Sequence, residues 1–168
     1  MFGFFRYLEA YKLMMPDHQF NACLTDYLRE VFCQCPRCGK RARIQASARV
    51  AMPWLPTDVT FLCTHCVLRH GWPLPQWQSD FINFHPGEGR EPYFGYPLWA
   101  IGNIGSNSLA ILNTEHASDL IAYVSASDRP RPKNTKWAMV NRLPKWVLLR
   151  KNRDRVLALI KELKKSLE

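Results

Sequence analysis

No apolar run in this chain approaches the roughly 18 residues that a membrane-crossing helix requires. The sequence has no internal repeat and no low-complexity tract, which sets aside repeat architectures and wholesale disorder. It has no secretory leader pattern either. The opening stretch MFGFFRYLEAYKLMM is aromatic, but Glu9 interrupts it and no small-residue cleavage pattern follows. Acidic residues are scarce, 14 Asp and Glu against 23 Lys and Arg, and none lies between Val31 and Asp58. The carboxylates that exist, Asp80, Glu88, Glu91, Glu115 and Asp119, form no recognisable dyad. Glu115-His116 resembles a general-base pair, yet a polar, exposed helix start accounts for it. With no paired base and nucleophile, a non-enzymatic protein is expected.

What the chain does have is enough apolar material for a core. Of its 168 residues, 47% are hydrophobic and 12% aromatic, the size of one ordinary domain or of a small module with a companion. Six cysteines, four of them in C-x-x-C pairs, behind an opening stretch that does not read as a secretory leader are expected to be reduced thiols, so a cytoplasmic location away from membranes is expected.

Four of those cysteines are ordered. Cys35-Pro36-Arg37-Cys38-Gly39-Lys40 is followed, with 24 residues between Cys38 and Cys63, by Cys63-Thr64-His65-Cys66. A C-x-x-C pair sits on a tight turn and points both sulfurs into one pocket. Pro36 presets the entry to the first turn, and Gly39 tolerates the positive φ on its way out. Two such turns facing each other make a tetrahedral four-thiolate site, and Zn²⁺ accepts that geometry without electronic penalty. Cys35, Cys38, Cys63 and Cys66 are therefore expected to hold one structural Zn²⁺. Such a closed site leaves no position for a substrate. Cys33 completes a C-x-C with Cys35 and reads as a buried thiol at the end of a helix. His65 should point away from the metal, and His70 is a weak substitute ligand.

Periodicity predicts the elements around that site. Residues 4–14 carry helical spacing, and Asp17 is expected to cap a second helix whose stripe is Phe20, Leu24, Tyr27, Leu28 and Val31, running into the first turn. Residues 41–50 alternate, with Ala42, Ile44, Ala46, Ala48 and Val50 inward and Arg41, Arg43, Gln45, Ser47 and Arg49 outward, which predicts a strand. Pro53–Pro56 reads as a loop and residues 59–62 as a strand into the second turn. Residues 71–92, rich in proline, tryptophan and glycine, read as a linker, with 81–84 a short strand. Residues 98–104 and 109–112 predict a hairpin joined by Gly105-Ser106-Asn107-Ser108. Asn113 or Thr114 is expected to cap a helix to about Ala126, with Leu120, Ile121 and Val124 inward. A last helix begins at Asn152-Arg153-Asp154 and carries the stripe Val156, Ile160, Leu163 and Leu167. Four segments result: N-terminal helices over 1–32, a ribbon over 33–70, the linker over 71–92 and a basic hairpin-helix unit over 93–168.

The charge is placed unevenly. From Asp128 to Glu168 there are 13 Lys and Arg against 4 Asp and Glu, so the chain's whole excess of +9 lies in its last quarter. Arg37, Lys40, Arg41, Arg43 and Arg49 form a second cluster around the first cysteine turn. Arg129, Arg131, Lys133, Lys136, Arg142, Lys145, Arg150, Lys151, Arg153 and Arg155 make up the first. Concentrated positive charge beside a small metal-held sheet points to a polyanion, DNA or RNA, contacted through its phosphate backbone. Trp137 and Trp146, interleaved with these cations, read first as core and second as base-stacking residues. The other reading is a protein-docking module, an accessory subunit of a larger bacterial mobile-element or defence complex. It rests on the aromatic residues Phe2, Phe4, Phe5, Trp72 and Trp77.

The stretch Tyr93-Phe94-Gly95-Tyr96-Pro97-Leu98-Trp99 is followed by Asn113-Thr114-Glu115-His116, Leu120 and Tyr123-Val124, then by Leu143-Pro144-Lys145-Trp146 and Lys151-Asn152-Arg153 with Val156-Leu157. With the two C-x-x-C pairs, this pattern resembles a family of uncharacterised bacterial zinc-ribbon proteins, over roughly residues 33–165. Members of that family often carry a Cys-Cys-Gly turn between the hairpin strands, where this chain has Asn103-Ile104-Gly105-Ser106. The resemblance implies fold and metal, and brings no established activity. The fold expected is α+β, a zinc ribbon with N-terminal helices and a C-terminal hairpin-helix unit.

Overall fold

The alternation that begins at Arg41 forms β2, Arg41–Ser47, with Ala42 and Ile44 buried and Gln45 and Ser47 exposed. In the computed structural model, which describes residues 20–47, 58–71, 85–129 and 138–168, β2 is an inner strand of a four-stranded antiparallel meander. Its neighbours are β1, Glu30–Gln34, and β3, Asp58–Leu62; β4, Arg69–Gly71, closes the sheet beyond β3. In register, Phe32 faces Arg43, Ile44 faces Phe61, and Phe61 faces His70.

The second helix expected from Asp17 does not reach the first cysteine turn. Leu24–Arg29 is a single 3-10 segment, after which the chain straightens into β1. Val31 and Cys33 are buried and Gln34 is exposed, a period of two that the helical stripe Leu24, Tyr27, Leu28, Val31 concealed. Cys33 is accordingly a buried strand residue, not the end of a helix. The outer edge of β1 is not left open. Phe32 N–H donates to the Leu112 carbonyl, Trp99 N–H to the Phe32 carbonyl, and Gln34 N–H to the Pro97 carbonyl. These bonds tie the sheet to the C-terminal half and satisfy an edge that would otherwise pair with another chain.

That half is built on a hairpin of β5, Ala100–Ile104, and β6, Asn107–Ile111. The turn is shorter than the sequence suggested. Gly105-Ser106 alone spans it, and Gly105 at φ +63° supplies the left-handed first position that a two-residue hairpin of this type needs. Helix α1, Thr114–Ser125, follows, with Asn113 accepting the His116 N–H as its cap. Asn113 also donates to the carbonyls of Tyr27 and Glu30, so the cap pins α1 to the start of β1. After the short α2, Lys145–Leu148, helix α3, Arg153–Leu167, packs on α1 and β5 with Val156, Ile160, Leu163 and Leu167 buried. One continuous core runs from Val31, Ile44 and Phe61 of the sheet through Leu98, Ile111, Leu120 and Ile160. The protein is thus α+β with antiparallel sheets. Among the described residues, no helix is long and apolar enough to cross a membrane.

The helix over 4–14, the loop Pro53–Pro56, the strand over 81–84 and residues Arg49, Trp72, Trp77, Arg131, Lys133, Lys136 and Trp137 lie outside the described residues, as do Phe2, Phe4 and Phe5.

Candidate metal centre and cationic surface

The two cysteine turns are built alike. Cys35 N–H donates to the Lys40 carbonyl at 2.8 Å, and Cys63 N–H to the Leu68 carbonyl at 2.9 Å. The residue after the second cysteine is left-handed in both, Gly39 at φ +68° and Val67 at φ +57°. Glycine adopts that conformation freely, whereas a β-branched residue is strained in it. Val67 is also four-fifths exposed, so no packing compensates. Its strain is the clearest sign that the second turn is held by something other than its own preferences.

What the turns bring together is four sulfurs. Cys35, Cys38, Cys63 and Cys66 place their Sγ atoms within 4.8 Å of one another, an arrangement that could hold a metal ion. Cys35 and Cys66 stand 3.6 Å apart, as do Cys38 and Cys63. Both separations are far beyond a disulfide bond of about 2.05 Å. They match the edges of about 3.8 Å expected for four thiolates about 2.3 Å from a central ion. The donor set fits as well as the geometry. Backbone N–H groups are directed at the sulfurs in a repeated pattern, Lys40 to Cys38 and Leu68 to Cys66, with Cys66 and His65 to Cys63. Desolvation raises the Cys63 thiol, but the N–H groups of Cys66 and His65, together with hydrogen bonds from the Cys38 and Cys66 thiols, outweigh it and bring it down to about 7. The Lys40 N–H lowers Cys38, yet desolvation and the thiols of Cys63, Cys35 and Cys66 push it to about 12. Four sulfurs this close cannot all ionise without a cation between them.

Cys33 stays outside this group. It is fully buried in β1, and burial raises its thiol well above the ordinary range. His65 lies on the second turn outside the sulfur group. His70 is a β4 residue, stacked on Phe61 with ring centroids 4.7 Å apart and hydrogen-bonded to the Tyr96 hydroxyl at 3.2 Å. That aromatic packing, not ligation, explains its place.

The expected cationic residues separate into two groups by what they touch. Arg41 is engaged within the fold. Its guanidinium lies over the Phe32 ring and donates to the Ser166 carbonyl at 2.9 Å, where Trp99 Nε1 also donates, at the C-terminus of α3. Arg43 is paired with Glu30 at 3.5 Å, both half-exposed. Arg129 and Arg153 are half-buried and bond backbone carbonyls. Arg142 is half-buried near the 3-10 turn Met139–Arg142. Arg37, Lys40, Lys145, Arg150, Lys151 and Arg155 are exposed, and none is ion-paired among the described residues. Arg41, beside the first cysteine turn, lies at the C-terminal end of α3, and Arg150 to Arg155 at its start. Fifteen residues of helix separate the two groups by about 22 Å. Trp146 is half-buried against the core, and its carbonyl accepts from Asn152.

Three buried polar groups were not singled out as sites by the sequence. Glu91 accepts from the N–H groups of Tyr93, Phe94 and Tyr96 at 2.6–3.1 Å and organises the loop to Pro97. Tyr27 donates to Asp119 at 2.6 Å and stacks on His116. His116 was expected at an exposed helix start, but it is buried, and its Nδ1 accepts from Leu112 N–H. Packing of the start of α1 on the 3-10 segment Leu24–Arg29, where Tyr27 stacks on His116, accompanies that burial, and no local signal carries it. Comparison with known protein families, with curated proteins and with solved structures finds no match.

Proposed function

We propose that this is a zinc-ribbon protein that binds nucleic acid through the phosphate backbone and performs no chemistry on it. Cys35, Cys38, Cys63 and Cys66 would hold one structural Zn²⁺, which contributes folding energy to a sheet with little core of its own. The single observation that carries the binding reading is the set of exposed cations with no ion pair among the described residues: Arg37 and Lys40 on the first turn, and Lys145, Arg150, Lys151 and Arg155 around the start of α3. Unpaired surface cations release counterions from DNA or RNA on binding. Arginine adds a planar fork matched to phosphate oxygens.

The test is titration of the zinc-loaded protein against labelled duplex DNA, single-stranded DNA and RNA at several salt concentrations. The expected result is affinity that falls steeply with salt and depends little on sequence. Absence of binding near physiological salt overturns the reading. A second reading, a docking subunit for another protein in the bacterial cytoplasm, is favoured by one observation: an apolar side chain, Val67, held strained and exposed at the tip of a turn.

A further inference from the structure

Buried polar atoms in this protein are satisfied with two exceptions among the described residues. Glu91, Asn113 and His116 all find partners. The Nε atoms of Arg129 and Arg153 are buried and have none. Each guanidinium is fixed at one other nitrogen: Arg129 Nη1 donates to the Leu148 carbonyl, and Arg153 Nη2 to the Ala126 carbonyl, both at 3.0 Å. Arg129 Nη2 and Arg153 Nη1 make no hydrogen bond among the described residues.

The two side chains meet at one junction: Arg153 reaches the Ala126 carbonyl, three residues before Arg129, and Arg129 reaches the Leu148 carbonyl, five residues before Arg153. Desolvation first, and then the charge of Arg153, lower the Arg129 guanidinium below its usual range. No carboxylate is paired with either among the described residues. Arg153 opens the first turn of α3, where the positive end of the helix dipole favours an anion and disfavours a cation. Exposed Arg150, Lys151 and Arg155 add to the same potential. Two like charges drawn together, anchored by carbonyls and left without a counter-charge, are costly unless an anion joins them.

We propose that Arg129 and Arg153 form a two-arginine clamp for a single phosphate group, with Nη2 of one and Nη1 of the other as its free donors. That the phosphate comes from a nucleic-acid backbone rests on the function proposed above; the clamp itself rests on the pair. It concentrates phosphate contact at the start of α3 and away from the outward face of β2, where Arg41 and Arg43 are already engaged.

The experiment compares the wild-type protein with the double variant Arg129→Lys, Arg153→Lys, which keeps both charges and loses both forks, and with Lys161→Gln, Lys165→Gln, which removes two exposed charges further along α3. Far-UV circular dichroism checks folding of each. Two probes are titrated: a labelled oligonucleotide, and inorganic phosphate against chloride at matched ionic strength, followed by the midpoint of thermal unfolding. The expected result is oligonucleotide affinity reduced about tenfold or more in the arginine variant. The lysine-to-glutamine variant should change only modestly. Inorganic phosphate should raise the wild-type midpoint, and that rise should be lost in the arginine variant. Oligonucleotide binding that is equal in the two variants, with no phosphate-specific rise in the wild type, overturns the clamp and leaves the nucleic-acid reading standing. A phosphate rise that depends on the two arginines, without oligonucleotide binding, supports the clamp and overturns that reading. If the arginine variant fails to fold, the wild-type phosphate titration decides alone: no rise over chloride overturns the clamp.

Discussion

Val67 and His116 show how much a single position can carry. Val67 occupies the turn position that Gly39 fills in the first turn, at φ +57° and with its side chain in water. Left-handed strain on a β-branched residue costs about 1–2 kcal/mol, more than the roughly 0.4–1 kcal/mol of chain entropy that glycine adds to the unfolded state. Val67→Gly is therefore expected to stabilise the metal-loaded protein by about 0.5–1 kcal/mol in denaturant unfolding. Destabilisation would show that Val67 has packing the turn geometry does not reveal. His116 is buried, and desolvation lowers it from 6.5 to about 3. The unfolded chain takes up a proton near pH 6.5 that the folded chain refuses, so this contribution is complete above that pH. It is lost as pH falls toward 3, at up to about 1.4 kcal/mol per pH unit. His116→Gln is expected to lower stability at neutral pH and to flatten the decline between pH 6 and 4. An unchanged slope would assign acid sensitivity to other groups. The sequence showed the cysteines, Gly39 and the Asn113 cap, because each is dictated by its own turn. It did not show the burial of His116, which depends on Tyr27, a residue far away in the chain.

Elements were legible where periodicity was clean and misleading where two periods overlapped. The β2 alternation and the α3 stripe match the structure because each buries one face against a single neighbour. Residues 24–34 satisfy a helical stripe and a strand alternation at once. The strand wins from Glu30 because β2 on one side and residues 97–112 on the other offer it backbone partners. β4, only three residues long, carries no pattern of its own and exists by pairing with β3. The contact of α3 with β5 turns on Gly102, where an added Cβ would collide with the Leu159 side chain. Gly102→Val is expected to cost about 1–3 kcal/mol by forcing the helix off the hairpin. Alanine there should be milder, since the end of Leu159 can swing aside. Equal stability of the valine variant in thermal unfolding would show that α3 does not rest on β5 at that point.

At the scale of the molecule, the cysteine cluster and the C-terminal half are mechanically joined. β1 runs directly into Cys35 of the first turn and also bonds to Pro97, Trp99 and Leu112, while Arg41 reaches across to the end of α3. Removal of metal by a chelator is therefore expected to lower the unfolding midpoint of the whole protein, on the order of ten degrees or more, in one transition. Two separate transitions, with the hairpin and helices unaffected, would show that the cluster stabilises only its own sheet.

The sequence by itself determined the four-thiolate spacing, the cationic excess and the amphipathic faces of β2 and α3, since each follows from turn geometry or from burial of one face. Only the tertiary structure decided which cations remain free. Arg41 and Arg43 read as outward cations along the chain, and packing gives one a helix terminus and the other a carboxylate. Arg129 and Arg153, 24 positions apart in the chain, become neighbours through the packing of α1 against α3. Free charge is a property of the neighbourhood, and the neighbours of a side chain are set by how distant elements pack.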